Sequence, residues 1–88
     1  MSEGSVTITL RLLGPLRHYL PPGSGFDDCQ APLREGDSVA TVIDSVALPA
    51  GEQFMVLLNG ERVEPDAFAA TRPAAGDEVT LVPPIKGG

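Results

Sequence analysis

The sequence predicts an α+β domain in two layers, a β-sheet with one main helix packed on one face. Three observations carry that prediction. Apolar and polar residues alternate near both ends of the chain, in "VTITLRLL" and in "DEVTLVP", and such alternation marks strands with one buried face. Between them lies one stripe at helical spacing, Val39, Val42, Ile43 and Val46, which needs an apolar sheet face to bury it. Asn59-Gly60 then interrupts "QFMVLLNGERV", and Asn-Gly between apolar runs is a strong hairpin signal.

Taken in chain order, residues 5–13 form the first strand, with Val6, Ile8, Leu10 and Leu12 on one face and Thr7, Thr9 and Arg11 on the other. "GPLRHYLPPGSG" is rich in Gly and Pro and reads as a turn and loop, with Leu16 and Tyr19 covering one end of the core. "FDDCQAPLR" is a weaker strand whose Pro32 marks an edge position or a bulge. Asp37 or Ser38 supplies the oxygen that caps the helix. The helical stripe is β-branched, so packing has to hold it, and "LPAG" ends it. Two strands flank Asn59-Gly60, since both turn residues tolerate positive φ. Pro65 starts a single helical turn in an otherwise irregular stretch. The last strand puts Val79 and Leu81 on one face and Thr80 and Val82 on the other. As the most regular strands, the first and last are expected at the centre of the sheet. No repeat or linker divides the chain, so 1–88 reads as one domain whose residues 83–88 form an extended tail.

Composition excludes several functions. The chain is 88 residues long, 42% hydrophobic and 20% charged, enough to fold around a modest core. Cys29 is the one cysteine and His18 the one histidine, so neither an internal disulfide nor a usual zinc site is expected; a reducing, cytoplasmic compartment fits. The N-terminus lacks a signal-peptide pattern, and the longest apolar run, "FMVLL", is too short to span a bilayer. Six scattered Lys and Arg within a net charge of −6 disfavour nucleic-acid binding and permit docking on a basic protein. Cys29 stands beside Asp27 and Asp28, which disfavour its thiolate and hence a nucleophilic role. His18 has no Ser, Cys or acid at motif spacing and reads as a surface histidine. No phosphate-binding Gly-Lys-Ser/Thr occurs.

The chain closes on "GDEVTLVPPIKGG". Two terminal glycines arise by chance in about one chain in 200 at average usage, and a frayed tail is the plainer explanation. Their attachment to a strand and a proline pair makes chance the minor account. Gly87 and Gly88 carry no side chains, so they can enter a narrow channel. Pro83 and Pro84 bias the exit to an extended path, and less entropy is lost on insertion. Ile85 is suited to anchor in a partner's pocket; Lys86 either pairs with a partner's acid or simply solubilises the tail.

"LRLLGPLR" near the start, with Gly76, Asp77, Glu78, Val79, Pro83, Pro84, Gly87 and Gly88 at the end, resembles the MoaD/ThiS sulfur-carrier family over nearly the whole chain, and within it the small subunit of molybdopterin synthase. The resemblance implies a ubiquitin-like β-grasp fold with a mixed sheet. It implies that an ATP-dependent, E1-like adenylating enzyme activates the carboxyl of Gly88, that a sulfur donor converts the adenylate to a thiocarboxylate, and that the sulfur passes to an acceptor. The chain would bind no cofactor, ATP being used by the activating partner. The catalytic groups would belong to partners, among them a synthase large subunit in a heterotetramer.

Leu13, Met55, Leu57 and Val82 fall opposite the faces assigned to the core. Either they form an apolar patch that docks a partner, or a loop such as 14–25 covers them, or the register is off by one. Three functions remain: a sulfur carrier for molybdopterin, thiazole or another pathway; a ubiquitin-like modifier conjugated through Gly88; or an interaction domain that only docks.

Overall fold

The computed structural model describes residues 5–46 and 48–84. Five strands and one α-helix follow the expected order: β1 (Val6–Leu12), β2 (Asp28–Leu33), α1 (Val39–Ser45), β3 (Met55–Leu58), β4 (Glu61–Val63) and β5 (Glu78–Val82). The sheet order is β2-β1-β5-β3-β4, with β5 at the centre and β1 beside it. β1 and β5 run parallel, and β1–β2, β3–β4 and β3–β5 are antiparallel. The sheet is therefore mixed, in the β-grasp arrangement.

One side of the sheet is dry. Ile8, Leu10 and Leu12 of β1, Val79 and Leu81 of β5 and Val56 of β3 are buried with Val39, Val42 and Val46 of the helical stripe. Full burial of each such side chain is worth ~1.5–3 kcal/mol relative to exposure. The alternation in the sequence thus assigns the core face correctly along β1 and β5. Leu16 is 1% exposed, and Tyr19 packs against the cluster. Both lie on a 3-10 helix, Gly14–Tyr19, with Pro15 in its first turn. This corrects the expected loop: Pro presets φ for a helical turn, and burial of Leu16 holds the turn closed.

The helix is seven residues long, and its first-turn donors are satisfied from elsewhere. Ser38, not Asp37, is the N-cap, and its N–H donates to Thr41 Oγ1 at 3.1 Å. Val39 N–H donates to Thr71 O at 2.8 Å and Ala40 N–H to Phe68 O at 3.1 Å. These first-turn donors have no partner within a helix; the irregular stretch after the Pro65–Ala67 turn supplies one for each.

Asp37 closes the preceding turn instead. Arg34 N–H donates to Asp37 Oδ2 at 2.9 Å and Asp37 N–H to Arg34 O at 3.0 Å, around Gly36 at φ +91°. "AAGD" repeats that geometry before β5: Ala74 N–H to Asp77 Oδ2 is 2.8 Å, Asp77 N–H to Ala74 O is 3.0 Å, and Gly76 has φ +84°. The Gly-Asp pair of the C-terminal motif is thus a turn that launches the central strand.

Candidate functional site: the tail exit and the open sheet face

β1 and β5 are parallel neighbours, so both end at the same end of the sheet. There β5 releases the tail. Pro83 and Pro84, both half-buried, are its first two residues. Ile85, Lys86, Gly87 and Gly88, expected to enter a partner and carry the reacting carboxyl, lie outside the described residues.

The residues expected to form a patch come together beside that exit. Pairing places Met55 opposite Val82 and Leu57 opposite Thr80 on the face away from the helix. Leu13 N–H donates to Leu81 O at 3.0 Å, which carries the β1–β5 ladder one residue past β1. Leu13, Met55, Leu57 and Val82 are all half-buried. They stand apart from the core cluster, whose half-buried neighbours lie on the helix side. Side chains opposite one another across a ladder share a face, so the register agrees with that read from the sequence.

The same face turns polar toward β2. Arg11 lies between Asp28 on β2 and Thr80 on β5. Its guanidinium contacts Asp27 at 2.7 Å and Asp28 at 3.6 Å, and its Nε donates to Glu78. The hydrogen bond to Glu78, followed by the charges of Asp27, Glu78 and Asp28, raises the Arg11 pKa despite some opposing desolvation. Three carboxylates face one guanidinium, so this end of the face stays negative. Thr80 is 8% exposed, flanked by Arg11 and Leu57 in the pairing. A partner placed over the patch would meet an apolar end next to the tail and an acidic end beyond it.

β2 is an edge strand, the first of the two positions that Pro32 marks. Leu12 N–H donates to Asp27 O at 2.8 Å, so alternation turns the backbone groups of 29, 31 and 33 toward β1 and those of 28, 30 and 32 outward. Pro32 therefore lacks an N–H at an outward position, which blunts the edge against further strands.

The remaining candidates are placed simply. His18 is exposed on the 3-10 helix. Cys29 pairs with Leu10 and packs against the core. Burial is the main cause that pushes its thiol pKa up; Asp28 adds to this and a hydrogen bond with Ser24 opposes it. The direction matches the sequence reading and Asp28 contributes as expected, but burial is the larger cause and Asp27 is paired with Arg11. Among the described residues no group of three or more His, Cys, Asp or Glu is placed to hold a metal, and no helix is long and apolar enough to cross a membrane.

Gly14 is a residue the sequence reading missed. It has φ +57°, and a Cβ there would lie 3.0 Å from Pro83 Cγ. Its signal was present in "LLGPLR", where a glycine precedes a proline directly after a strand, but nothing local names Pro83 as the neighbour.

The solution structure of the Haloferax volcanii HVO 2177 protein matches with a TM-score of 0.73 at 22% identity, over 100% of this chain and 92% of that one. The crystal structure of SAMP1 from Haloferax volcanii matches with a TM-score of 0.64 at 21% identity, over 93% and 99%. A protein–protein complex of subunits 1 and 2 of molybdopterin-converting factor from Helicobacter pylori 26695 contains a chain that matches with a TM-score of 0.62 at 16% identity, over 94% and 100%. At these identities the likeness shows the fold. None of the curated proteins compared with the chain matches it. The family model described as the ThiS family matches residues 11–88. From Arg11 on the open face to the final glycine, the chain belongs to the ThiS family, in the MoaD/ThiS group of sulfur carriers.

Proposed function

We propose that this protein is a cytoplasmic sulfur carrier that works through the carboxyl of Gly88, as the small subunit of molybdopterin synthase in molybdenum cofactor biosynthesis. One observation carries the reading: the central strand ends in a proline pair directly beside an apolar patch, and the residues that follow are Ile85, Lys86 and two glycines. Five residues beyond Pro83 reach at most roughly 17 Å, which suits delivery of a carboxyl into another protein's site.

The chemistry balances without a catalytic group on this chain. A carboxylate oxygen of Gly88 attacks the α-phosphorus of ATP, bound by the E1-like partner; a C–O–P linkage forms and pyrophosphate leaves. Sulfur at the hydrosulfide level then attacks the activated carbonyl, AMP leaves, and a proton is released from the new thiocarboxylic acid. The covalent adenylate supplies the leaving group that a carboxylate lacks. The large synthase subunit would then receive the tail; the neighbour solved as a complex of two molybdopterin-converting factor subunits supports a partner of that kind. A heterotetramer of two small and two large subunits is the expected assembly.

Co-expression with an adenylating enzyme and a sulfur source tests the reading. The expected result is an intact mass about 16 Da higher, one oxygen replaced by sulfur, and its loss on deletion of Gly88. An unchanged mass across adenylating enzymes of both the molybdopterin and the thiazole type would overturn it. A modifier function is the second reading, favoured by the neighbour described as a small archaeal modifier protein. Isopeptide conjugates through Gly88, without sulfur transfer, would decide for it.

A further inference from the structure

Gly14 and Pro83 are fixed on both sides of their contact. The ladder bond from Leu13 N–H to Leu81 O, 3.0 Å, pins the residue before Gly14 to the strand that releases the tail. Pro15 follows, with φ held by its ring, in the first turn of the 3-10 helix whose Leu16 is 1% exposed in the core. The turn therefore cannot move aside cheaply. A Cβ on Gly14 would lie 3.0 Å from Pro83 Cγ and 3.7 Å from Pro83 Cδ, where carbon atoms prefer ~3.5–4.0 Å. Gly23, Gly36, Gly51, Gly60 and Gly76 share the positive φ, yet a Cβ on any of them would meet nothing within 4 Å. Turn formation explains those five. At Gly14 the missing side chain also makes room for the Pro83 ring.

We infer that the Gly14–Pro15 turn is a bearing for the tail: Pro83 rests on the backbone of Gly14, and this contact sets the direction in which the tail leaves the sheet. Gly14 is thus a positioning residue for the reaction at Gly88, and this role rests on the tail function proposed above. The lever is long. A shift of a few tenths of an ångström at the Pro83 ring is magnified along a tail that reaches roughly 17 Å, while errors near ~1 Å already cost reacting groups about a hundredfold in rate.

The test is a double-mutant cycle on the full chain, comparing wild type, Gly14→Ala, Pro83→Ala and the double variant. The first readout is ATP–pyrophosphate exchange with an adenylating enzyme, in which the carboxylate displaces pyrophosphate from ATP. Gly14→Ala is expected to lower kcat about tenfold or more, with KM little changed because the patch is intact. The double variant removes Pro83 Cγ and should regain most of the loss, although the positive φ at position 14 stays strained. A purely structural role predicts the opposite, since that strain is common to both variants. A double variant no better than Gly14→Ala, or a Gly14→Ala with wild-type kcat, overturns the inference.

The second readout needs no enzyme. Amide chemical shifts of residues 85–88 in ¹⁵N-labelled protein should move in Gly14→Ala and return in the double variant to the values of Pro83→Ala. If no adenylating enzyme acts on the wild-type chain, the functional reading fails and these shifts alone decide the bearing. Wild-type shifts of residues 85–88 in Gly14→Ala would overturn it.

Discussion

Neighbouring acids at the start of β2 have different fates. Asp27 and Asp28 follow one another, yet Asp27 contacts the Arg11 guanidinium at 2.7 Å and only Asp28 acts on Cys29. Sequence adjacency alone assigns both acids to suppressing the thiolate; in the fold, burial does most of it. Cys29 pairs with Leu10, so its side chain falls on the core face. The consequence is measurable. The pH at which Cys29 reaches half its maximal rate of alkylation by iodoacetamide should lie above the usual thiol value near ~8.5, and in urea-unfolded chain it should fall back to that value. At neutral pH the folded protein should react more slowly than the unfolded chain. A midpoint at or below the ordinary value would show that burial does not control this thiol.

Turn chemistry is where local sequence and distant contact meet at the scale of elements. Asn59 at φ +52° and Gly60 at φ +88° form the expected hairpin turn between β3 and β4. Asn59 also reaches β5: its N–H donates to Glu78 O at 2.8 Å, and its Oδ1 accepts from Glu78 N–H at 2.9 Å. Asparagine tolerates the left-handed region and brings an acceptor that glycine lacks. Asn59→Ala should therefore cost ~2 kcal/mol, about half from the strained φ and half from the lost hydrogen bond. Asn59→Gly loses only the bond and should cost ~1 kcal/mol. Urea unfolding of the two variants separates these contributions; equal losses would mean that φ strain contributes nothing. The hairpin was legible because Asn-Gly carries its own backbone preference. The bridge to Glu78 was not, since 19 residues separate the partners. The helix shows the same division: its stripe was readable, but its N-terminal donors are met by Phe68 and Thr71.

For the molecule as a whole, the mixed sheet has two unlike faces. The helix covers one. The other has an apolar end at the tail exit and an acidic end at Arg11, Asp27, Asp28 and Glu78. A basic partner with an apolar contact matches both ends, and the net charge of −6 favours its approach. Leu57→Glu places a carboxylate opposite Arg62 in the pairing, so the fold should lose no more than ~1 kcal/mol. KM for ATP–pyrophosphate exchange should nevertheless rise about tenfold, because docking would bury a charge. Thr7→Glu, on the same face at the far end of β1, is the control and should leave KM unchanged. Equal effects of the two variants would mean that net charge, not the patch, governs docking.

The sequence by itself determined which residues of β1 and β5 face the core, where the hairpin turns, that Pro32 marks an edge or a bulge, and that the last strand leads through two prolines to two glycines. Each of these is local: an alternation, a spacing or a residue's own φ preference sets it. The tertiary structure decided which loop carbonyls meet the helix donors, which acid pairs with Arg11, why the Cys29 thiol is suppressed, and that Gly14 lies beneath Pro83. Those are contacts between residues distant in the chain: the antiparallel pairing of β1 with β2 sets the surroundings of Arg11 and Cys29, and the parallel pairing of β1 with β5 brings residues 14 and 83 together. Contacts of that separation leave no period in the sequence, because the entropy of closing the loop is offset by the packing of the entire sheet and not by either residue alone.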